Sequence, residues 1–393
     1  MSAPILLHNG YIHSHEDPFA QAICLQDGYI TWLGAEESVP GQLTAIDVQT
    51  SQDASKREVN MVDLAGAVVV PGFVDLALYQ HPEAKVANTR EIARFCKLLD
   101  ASGVQAATVQ PSGEGLESLL TATHEAYPQI VGLVFSPKEF ASFEQLHQLL
   151  QQVQDAGFKF CLDYTGQELP TLEVIQQLRP DRVLIFAGNR LLGDGTASGL
   201  DAAASPDLAA DPDRNQVQNP ILTTWVEQLT AKVAGLELVR LLQMVHWIGQ
   251  LPAQLELGKL GALRLILPPN ISPTNPVANG LTVCLTAVSK DNLHLNYWQT
   301  LSKAVSPDVG WSGRGAIRGL ASAGWRCVGL PDRGTLHVGA PAYLTAWSSA
   351  QVDVLAPTGG LNSWSPEAQA GSPVLPVLGQ QDGDITLIWS SLA

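Results

Sequence analysis

The run Pro71-Gly72-Phe73-Val74-Asp75-Leu76-Ala77-Leu78-Tyr79-Gln80-His81 decides how the rest of the chain is read. Pro-Gly opens it with a turn, apolar residues carry it on as a half-buried strand, and it ends in polar residues where a barrel would present its chemistry. From here on the rhythm is strand, helix, strand. Apolar runs of barrel-strand length recur at 104–109, 130–135, 158–162, 183–187, 263–267 and 281–287. Between them lie helical periods. Residues 91–102 place Ile92, Phe95, Leu98 and Leu99 on one face before Gly103. Residues 142–156 open with a Ser-x-x-Gln capping box, turn Phe143, Leu146, Leu149, Leu150 and Val153 inward, and end at Gly157. Further helical patterns span 225–247 and 253–260. Such alternation predicts an α/β fold with a parallel sheet, closed as a TIM-like (β/α) barrel. No run supplies an eighth strand, so the expected barrel is incomplete or distorted.

Upstream, residues 4–70 read as short strands and turns. Ile5-Leu6-Leu7 leads to Asn9-Gly10, Ala22-Ile23-Cys24-Leu25 leads to Asp27-Gly28, and Tyr29 to Leu33 leads to Gly34. Asn-Gly and Asp-Gly are hairpin signals because both residues tolerate positive φ. A second β-rich stretch runs from Gly334 to Trp347 and on to Ile385-Thr386-Leu387-Ile388-Trp389. The expected organisation is a small composite β-sandwich from 1–70 and 333–393, and a barrel over 71–332 with a loop insertion near 188–220. Gly193-Asp194-Gly195-Thr196-Ala197-Ser198-Gly199 within that insertion is not a dinucleotide fingerprint, since its third glycine comes one position late.

Bulk properties narrow the function. The 393 residues are 46% hydrophobic and 15% charged, with net charge −16 and a pI near 4.9. An acidic surface repels phosphate backbones and anionic lipid, which argues against nucleic-acid and membrane partners. No apolar run reaches the roughly 18 residues of a membrane span, and Met1-Ser2-Ala3-Pro4 lacks the charged start of a signal peptide, so a cytoplasmic protein is expected. Cys24, Cys96, Cys161, Cys284 and Cys327 are odd in number and widely spaced, suggesting neither a disulfide framework nor a CxxC metal clip.

The run at 71–81 resembles the first barrel strand of the amidohydrolase superfamily, in which Pro-Gly-Phe-Val-Asp-Leu is followed by His-x-His. The resemblance is nearest to the dihydroorotase branch and extends to Arg333-Gly334-Thr335-Leu336-His337-Val338-Gly339-Ala340-Pro341-Ala342-Tyr343-Leu344, where Tyr343 replaces a common aspartate. N-acetylglucosamine-6-phosphate deacetylases share the architecture and much of this tail. The resemblance implies a divalent metal held by imidazoles, which lowers the pKa of bound water enough to form hydroxide near neutral pH. Here Ala77 and Tyr79 stand at the two histidine positions. His81 stands where an arginine would grip a substrate carboxylate, and Ser112 where an asparagine would bond substrate. Pro137 replaces an aspartate after Phe135-Ser136, Asp163 takes a ligand histidine's place at the end of strand four, and the general-base segment has no counterpart after Val283-Cys284-Leu285-Thr286-Ala287.

Other residues do not restore the chemistry. His13-Ser14-His15 is a literal His-x-His, but it follows a turn in the N-terminal β-rich segment without further donors near in sequence, and reads as a solvated turn. His246, on a helical or strand-like apolar run, reads as a hydrogen-bonded core or surface histidine, and His124 and His147 as exposed helix residues. His81 and Glu83 read as a polar loop, and no GxSxG elbow is present.

Ala77, Tyr79, His81, Ser112, Pro137 and Asp163 therefore form a vestigial pocket with no catalytic residue, metal or cofactor expected. The resemblance implies a non-catalytic dihydroorotase-like protein kept for assembly or regulation. Aspartate carbamoyltransferase is the partner by family analogy, and a homo-oligomer is expected. The alternative is a divergent amidohydrolase, with zinc or metal-free, hydrolysing a cyclic amide or an N-acyl sugar at a rebuilt site.

Overall fold

The computed structural model describes residues 3–14, 16–50, 59–167, 169–178, 183–188, 190–192, 219–251, 260–289, 295–353, 374–377 and 385–391. Two compact units emerge: Met1–Val74, Leu99–Gln105 and Tyr297–Ala393 in one, Asp75–Leu98 and Ala106–Asn296 in the other.

The expected parallel sheet is present as a nearly closed eight-stranded barrel with helices between its strands. In chain order the strands are Phe73–Asp75, Val104–Pro111, Ile130–Phe135, Lys159–Asp163, Val183–Gly188, Val245–Ile248, Arg264–Leu267 and Thr282–Leu285, each beside the next. The missing eighth strand is Val245-His246-Trp247-Ile248, sixth in order, which corrects the helical reading of 225–247. That stretch holds two helices, Asn219–Lys232 and Gly235–Met244, and the second runs into the strand without a loop. Its buried residues Leu241, Leu242 and Met244 lead straight into Val245, so periodicity carries no boundary there.

Barrel helices form where the 3.6-residue pattern predicts. In Thr89–Ser102, Ile92, Phe95 and Leu99 are fully buried. In Phe143–Asp155, Leu146, Leu150 and Val153 are buried while Phe143 is exposed, contrary to expectation. Ser142 Oγ accepts from the Gln145 N–H at 3.3 Å, and the Gln145 side chain bonds back to the Ala141 N–H at 3.1 Å, so the cap forms one residue wider than a simple box.

The strand at 71–81 is shorter than expected. It lies in the sheet only over Phe73–Asp75, is wholly buried rather than half-buried, and gives way to 3-10 turns at Leu78–Gln80 and Pro82–Ala84. Asp75 ends it. The carboxylate accepts from Thr286 Oγ1 at 2.7 and 2.9 Å and from the Ala287 N–H at 2.9 Å, just beyond the eighth strand, and from the Ala77 N–H at 3.1 Å. A buried charge held by three donor groups thus fastens the first strand to the exit of the last.

The two chain ends make the expected sandwich. One four-stranded sheet has the order Tyr29–Gly34, Ala22–Gln26, Ile5–His8, Asn60–Asp63; the other runs Ile385–Ser390, Leu344–Ser349, Val68–Pro71, Tyr11–Ile12. The antiparallel register Leu344↔Pro71 to Trp347↔Val68 joins the ends, and Leu7, Ile23 and Leu25 share a core with Val69, Leu344 and Ala346. Asp27-Gly28 is a hairpin turn with both φ positive, at 50° and 82°. Asn9-Gly10 is not: it turns the chain from one sheet to the other, with Asn9 at φ 58° tied to Asp63 at 2.8 Å. Residues 4–70 also contain a helix, Val39–Thr50, with Pro40 in its first turn. Tyr343, in place of the aspartate of the resembled tail, packs on Trp325, and the Arg333 guanidinium lies over both rings at 4.4 and 5.0 Å.

Replacing Asp75 by alanine removes the fastening at the seam, the acceptor of the Thr286 hydroxyl and of the Ala287 N–H. A loss of about 3 kcal/mol in unfolding free energy is expected in a denaturant titration; a loss below about 0.5 kcal/mol is the outcome that removes Asp75 from this role.

Candidate functional site

Strands one and four are separated by two others in the nearly closed eight-stranded barrel, so a contact between their exits spans the mouth. Tyr79 makes that contact. Its phenol donates to Asp163 Oδ1 at 2.9 Å, and its ring stacks on Phe186 of strand five at a centroid distance of 5.1 Å. Tyr79 is 2% exposed and Asp163 9%. The 3-10 turn directs Tyr79 inward: the Ala77 N–H is taken by Asp75, and the Gln80 N–H donates to the Ala77 carbonyl at 3.0 Å.

Asp163 Oδ1 is saturated. Besides Tyr79 it accepts from the Thr165 N–H at 2.9 Å and from the Thr165 hydroxyl at 2.6 Å. This Asp-x-Thr arrangement supplies two donors from within the strand's own exit. Burial and the neighbouring Asp163 charge push the Tyr79 phenol well above its ordinary value. It remains a protonated donor.

Strand register adds His246. Asp163 pairs with Phe186 and Phe186 with His246, so the three side chains project from the same face. The imidazole meets the Phe186 ring edge-on at 5.6 Å. His246 Nδ1 lies 3.0 Å from the Met244 carbonyl, which only accepts, so Nδ1 carries the proton. Nε2 is then an acceptor, fully buried and without a hydrogen-bond partner among the described residues. His246 is thus a core histidine with one nitrogen satisfied.

The remaining pocket residues do not join this group. Ala77 is buried and offers only its backbone N–H. His81 is 4% exposed, and its Nδ1 accepts from the Glu83 N–H at 3.2 Å, capping the second 3-10 turn. Glu83 pairs with Arg94 at 2.6 Å. Ser112 is the exposed N-cap residue of helix Gly113–Ala126, and Pro137 opens a 3-10 turn after strand three within a Ser136/Glu139 capping box. His13 is buried rather than solvated, while His15 and the glycine-rich stretch 193–199 lie outside the described residues. His124 is half-buried with Nδ1 against the Ile130 carbonyl at 3.1 Å, and His147 is half-buried against Phe143, so neither is an exposed helix residue. The sequence missed Thr165, Phe186 and Gln80. Asp163-Tyr164-Thr165 carried a readable signal, since an aspartate followed two residues later by threonine is a local hydrogen-bonding pattern.

The donor set does not fit the divalent metal of the resembled family. Ala77 has no donor atom, Tyr79 is held as a neutral phenol, and Asp163 Oδ1 already takes three hydrogen bonds. Among the described residues no group of three or more His, Cys, Asp and Glu converges as a metal site would require. No described helix is long and apolar enough to cross a membrane.

No family model matches the chain, and no curated protein matches it in sequence. Solved structures do. Guanine deaminase of E. coli superposes with a TM-score of 0.60 at 13% identity, over 99% of this chain and 100% of that one. A triazine hydrolase variant gives 0.57 at 14% identity over 98% and 93%. An uncharacterized metal-dependent hydrolase from Pyrococcus furiosus gives 0.54 at 11% identity over 87% and 98%. At such identities the likeness is one of fold alone. The chain shares their barrel fold.

The raised Tyr79 value gives a pH signature. A group with a folded-state value above its unfolded value stabilises fully below the unfolded value, near pH 10, and that contribution is lost as pH rises toward the folded one. Unfolding free energy is expected to fall above about pH 10 by up to ~1.4 kcal/mol per pH unit, and Tyr79→Phe to remove that component. Equal alkaline slopes in the two proteins would show that Tyr79 is not buried in its neutral form.

Proposed function

We propose that this chain is a dihydroorotase-like amidohydrolase-fold protein without hydrolytic activity, serving as a scaffold or regulator. The observation that carries this reading is the Tyr79 phenol donating to Asp163 across the barrel mouth. In a metal hydrolase that space holds the ion and its water, so here the chain's own ring and hydrogen bonds occupy the place of the chemistry. Restoring a metal at Asp163 Oδ1 means displacing three donors, each worth roughly 1 kcal/mol or more, and gains no second ligand from residue 77. The dihydroorotase branch rests on the sequence resemblance at 71–81 and 333–344, and aspartate carbamoyltransferase is the partner that resemblance implies. A homo-oligomer presenting the sandwich and barrel surfaces to that partner completes the proposal.

A second reading has one observation in its favour. The unprotonated His246 Nε2, with no partner among the described residues, is an acceptor that a rebuilt site acting on a cyclic amide or an N-acyl sugar would use.

Two measurements separate these readings. Elemental analysis of protein purified without chelator is expected to show no stoichiometric zinc, and assays with dihydroorotate and N-acetylated sugar phosphates no turnover. Stoichiometric zinc together with turnover sinks the scaffold reading. Mixing the chain with aspartate carbamoyltransferase is expected to give a larger complex in size-exclusion chromatography with light scattering; two species that elute unchanged remove that partner.

A further inference from the structure

We propose that the edge strand Asn60–Asp63 of the terminal sandwich is a self-association surface, pairing antiparallel with the same strand of a second copy of this chain. It supplies the surface for the homo-oligomer of the reading above and rests on that part of it alone, independent of whether the barrel hydrolyses anything.

Asn60–Asp63 runs parallel to Ile5–His8 with the register Ile5↔Asn60 to His8↔Asp63, and no described strand lies on its other side. The Asn60 N–H donates to the Pro4 carbonyl at 2.9 Å and the Leu64 N–H to the His8 carbonyl at 2.8 Å. By the alternation of a parallel ladder the Val62 N–H faces inward as well, while Met61 and Asp63 turn their N–H and C=O groups away from the sheet. Among the described residues nothing bonds to those outward groups. The Met61 side chain beside them is 45% exposed. The opposite edge of the same sheet, Tyr29–Gly34, is covered by its own chain. There the Ile30 N–H donates to the Ala340 carbonyl, the Gly339 N–H to the Ile30 carbonyl and the Ala342 N–H to the Gly28 carbonyl, each at 2.8 Å. Asn60–Asp63 carries no proline, lysine or bulge, the devices that keep sheet edges apart.

A second copy fits this edge without any other sequence. Under a two-fold axis at Val62, Met61 of each copy faces Asp63 of the other and exchanges both backbone bonds with it, and the two Val62 meet at the close, non-hydrogen-bonded position. Val62 already packs against the core that holds Leu7 and Ile23, so that core continues across the axis. Met61 is covered on the other face. Charge selects the register. Asp63 is the only charged residue of the strand, and its Oδ1 is held by Asn9 and by the Ala65 N–H, each at 2.8 Å. An axis at Val62 sets each Asp63 opposite a methionine, whereas an axis at Asp63 sets two carboxylates face to face, which is destabilising. An axis at Met61 leaves only the Met61 pair bonded within the strand. Four residues from each copy fall short of the roughly 1,200 Å² that a stable interface buries. Each copy also carries a net charge of −16, so the pair is weak and strengthens as salt screens the mutual repulsion.

Amide hydrogen exchange over a dilution series, with light scattering at the same concentrations, tests the pairing. In concentrated protein a species of twice the monomer mass is expected, with the Met61 and Asp63 amides slowed about tenfold or more against the dilute sample. The Val62 amide, bonded within its own sheet, is expected to be equally protected throughout. Met61→Pro removes only an outward N–H, and Met61→Lys sets a charge on the edge. Each is expected to abolish the dimer mass while leaving Val62 protected; if the proline variant does not fold, the lysine variant decides. A monomer at every concentration and salt overturns the pairing and the homo-oligomer together. An oligomer whose mass neither variant changes, or Met61 and Asp63 amides indifferent to concentration, overturns the pairing and leaves the homo-oligomer. Protection of Met61 only on adding aspartate carbamoyltransferase gives the edge to that partner and overturns self-pairing. Turnover with zinc overturns the scaffold reading and leaves the pairing standing.

Discussion

The Asp75 carboxylate is the interaction on which the barrel depends. Strand one contributes only Phe73–Asp75 to the sheet, and the described strand order ends at Thr282–Leu285 on the other side. Asp75 spans that seam through Thr286 and the Ala287 N–H, doing with side-chain bonds what a backbone ladder does elsewhere in the sheet. The same carboxylate takes the Ala77 N–H and so ends the strand. An extended chain from Asp75 to Tyr79 would advance roughly 13 Å. The 3-10 turn at Leu78–Gln80 shortens that path and swings Tyr79 across the mouth. Closure of the fold and closure of the mouth therefore share one buried charge.

Much of this was legible in sequence, for reasons that differ by element. The sandwich was readable because Asp27-Gly28 carries its own turn chemistry and the tail at 334–347 has strand composition. Asn9-Gly10 carried the same chemistry and was misread, since positive φ suits a corner between sheets as well as a hairpin. Strand six was hidden because a four-residue strand butts against helix Gly235–Met244, and an apolar run of that length has no period of its own. Ala77 and Tyr79 were readable as departures from the resembled motif. That Tyr79 meets Asp163, 84 residues away, depends on barrel closure and on a turn inside an apparently continuous strand, and local pattern encodes neither.

The two sides of the mouth differ in how far they are satisfied. At strand four a buried carboxylate has to find donors, since a buried unpaired charge costs several kcal/mol. Thr165 provides two and Tyr79 a third, which makes the phenol part of the carboxylate's solvation rather than inert filling. At strand six the imidazole donates its Nδ1 proton to the Met244 carbonyl, and its Nε2 has no hydrogen-bond partner among the described residues. Leaving such an acceptor unpaired costs roughly 1–3 kcal/mol, and an apolar residue of similar size would avoid it. The protein therefore keeps a buried polar nitrogen that packing alone does not require.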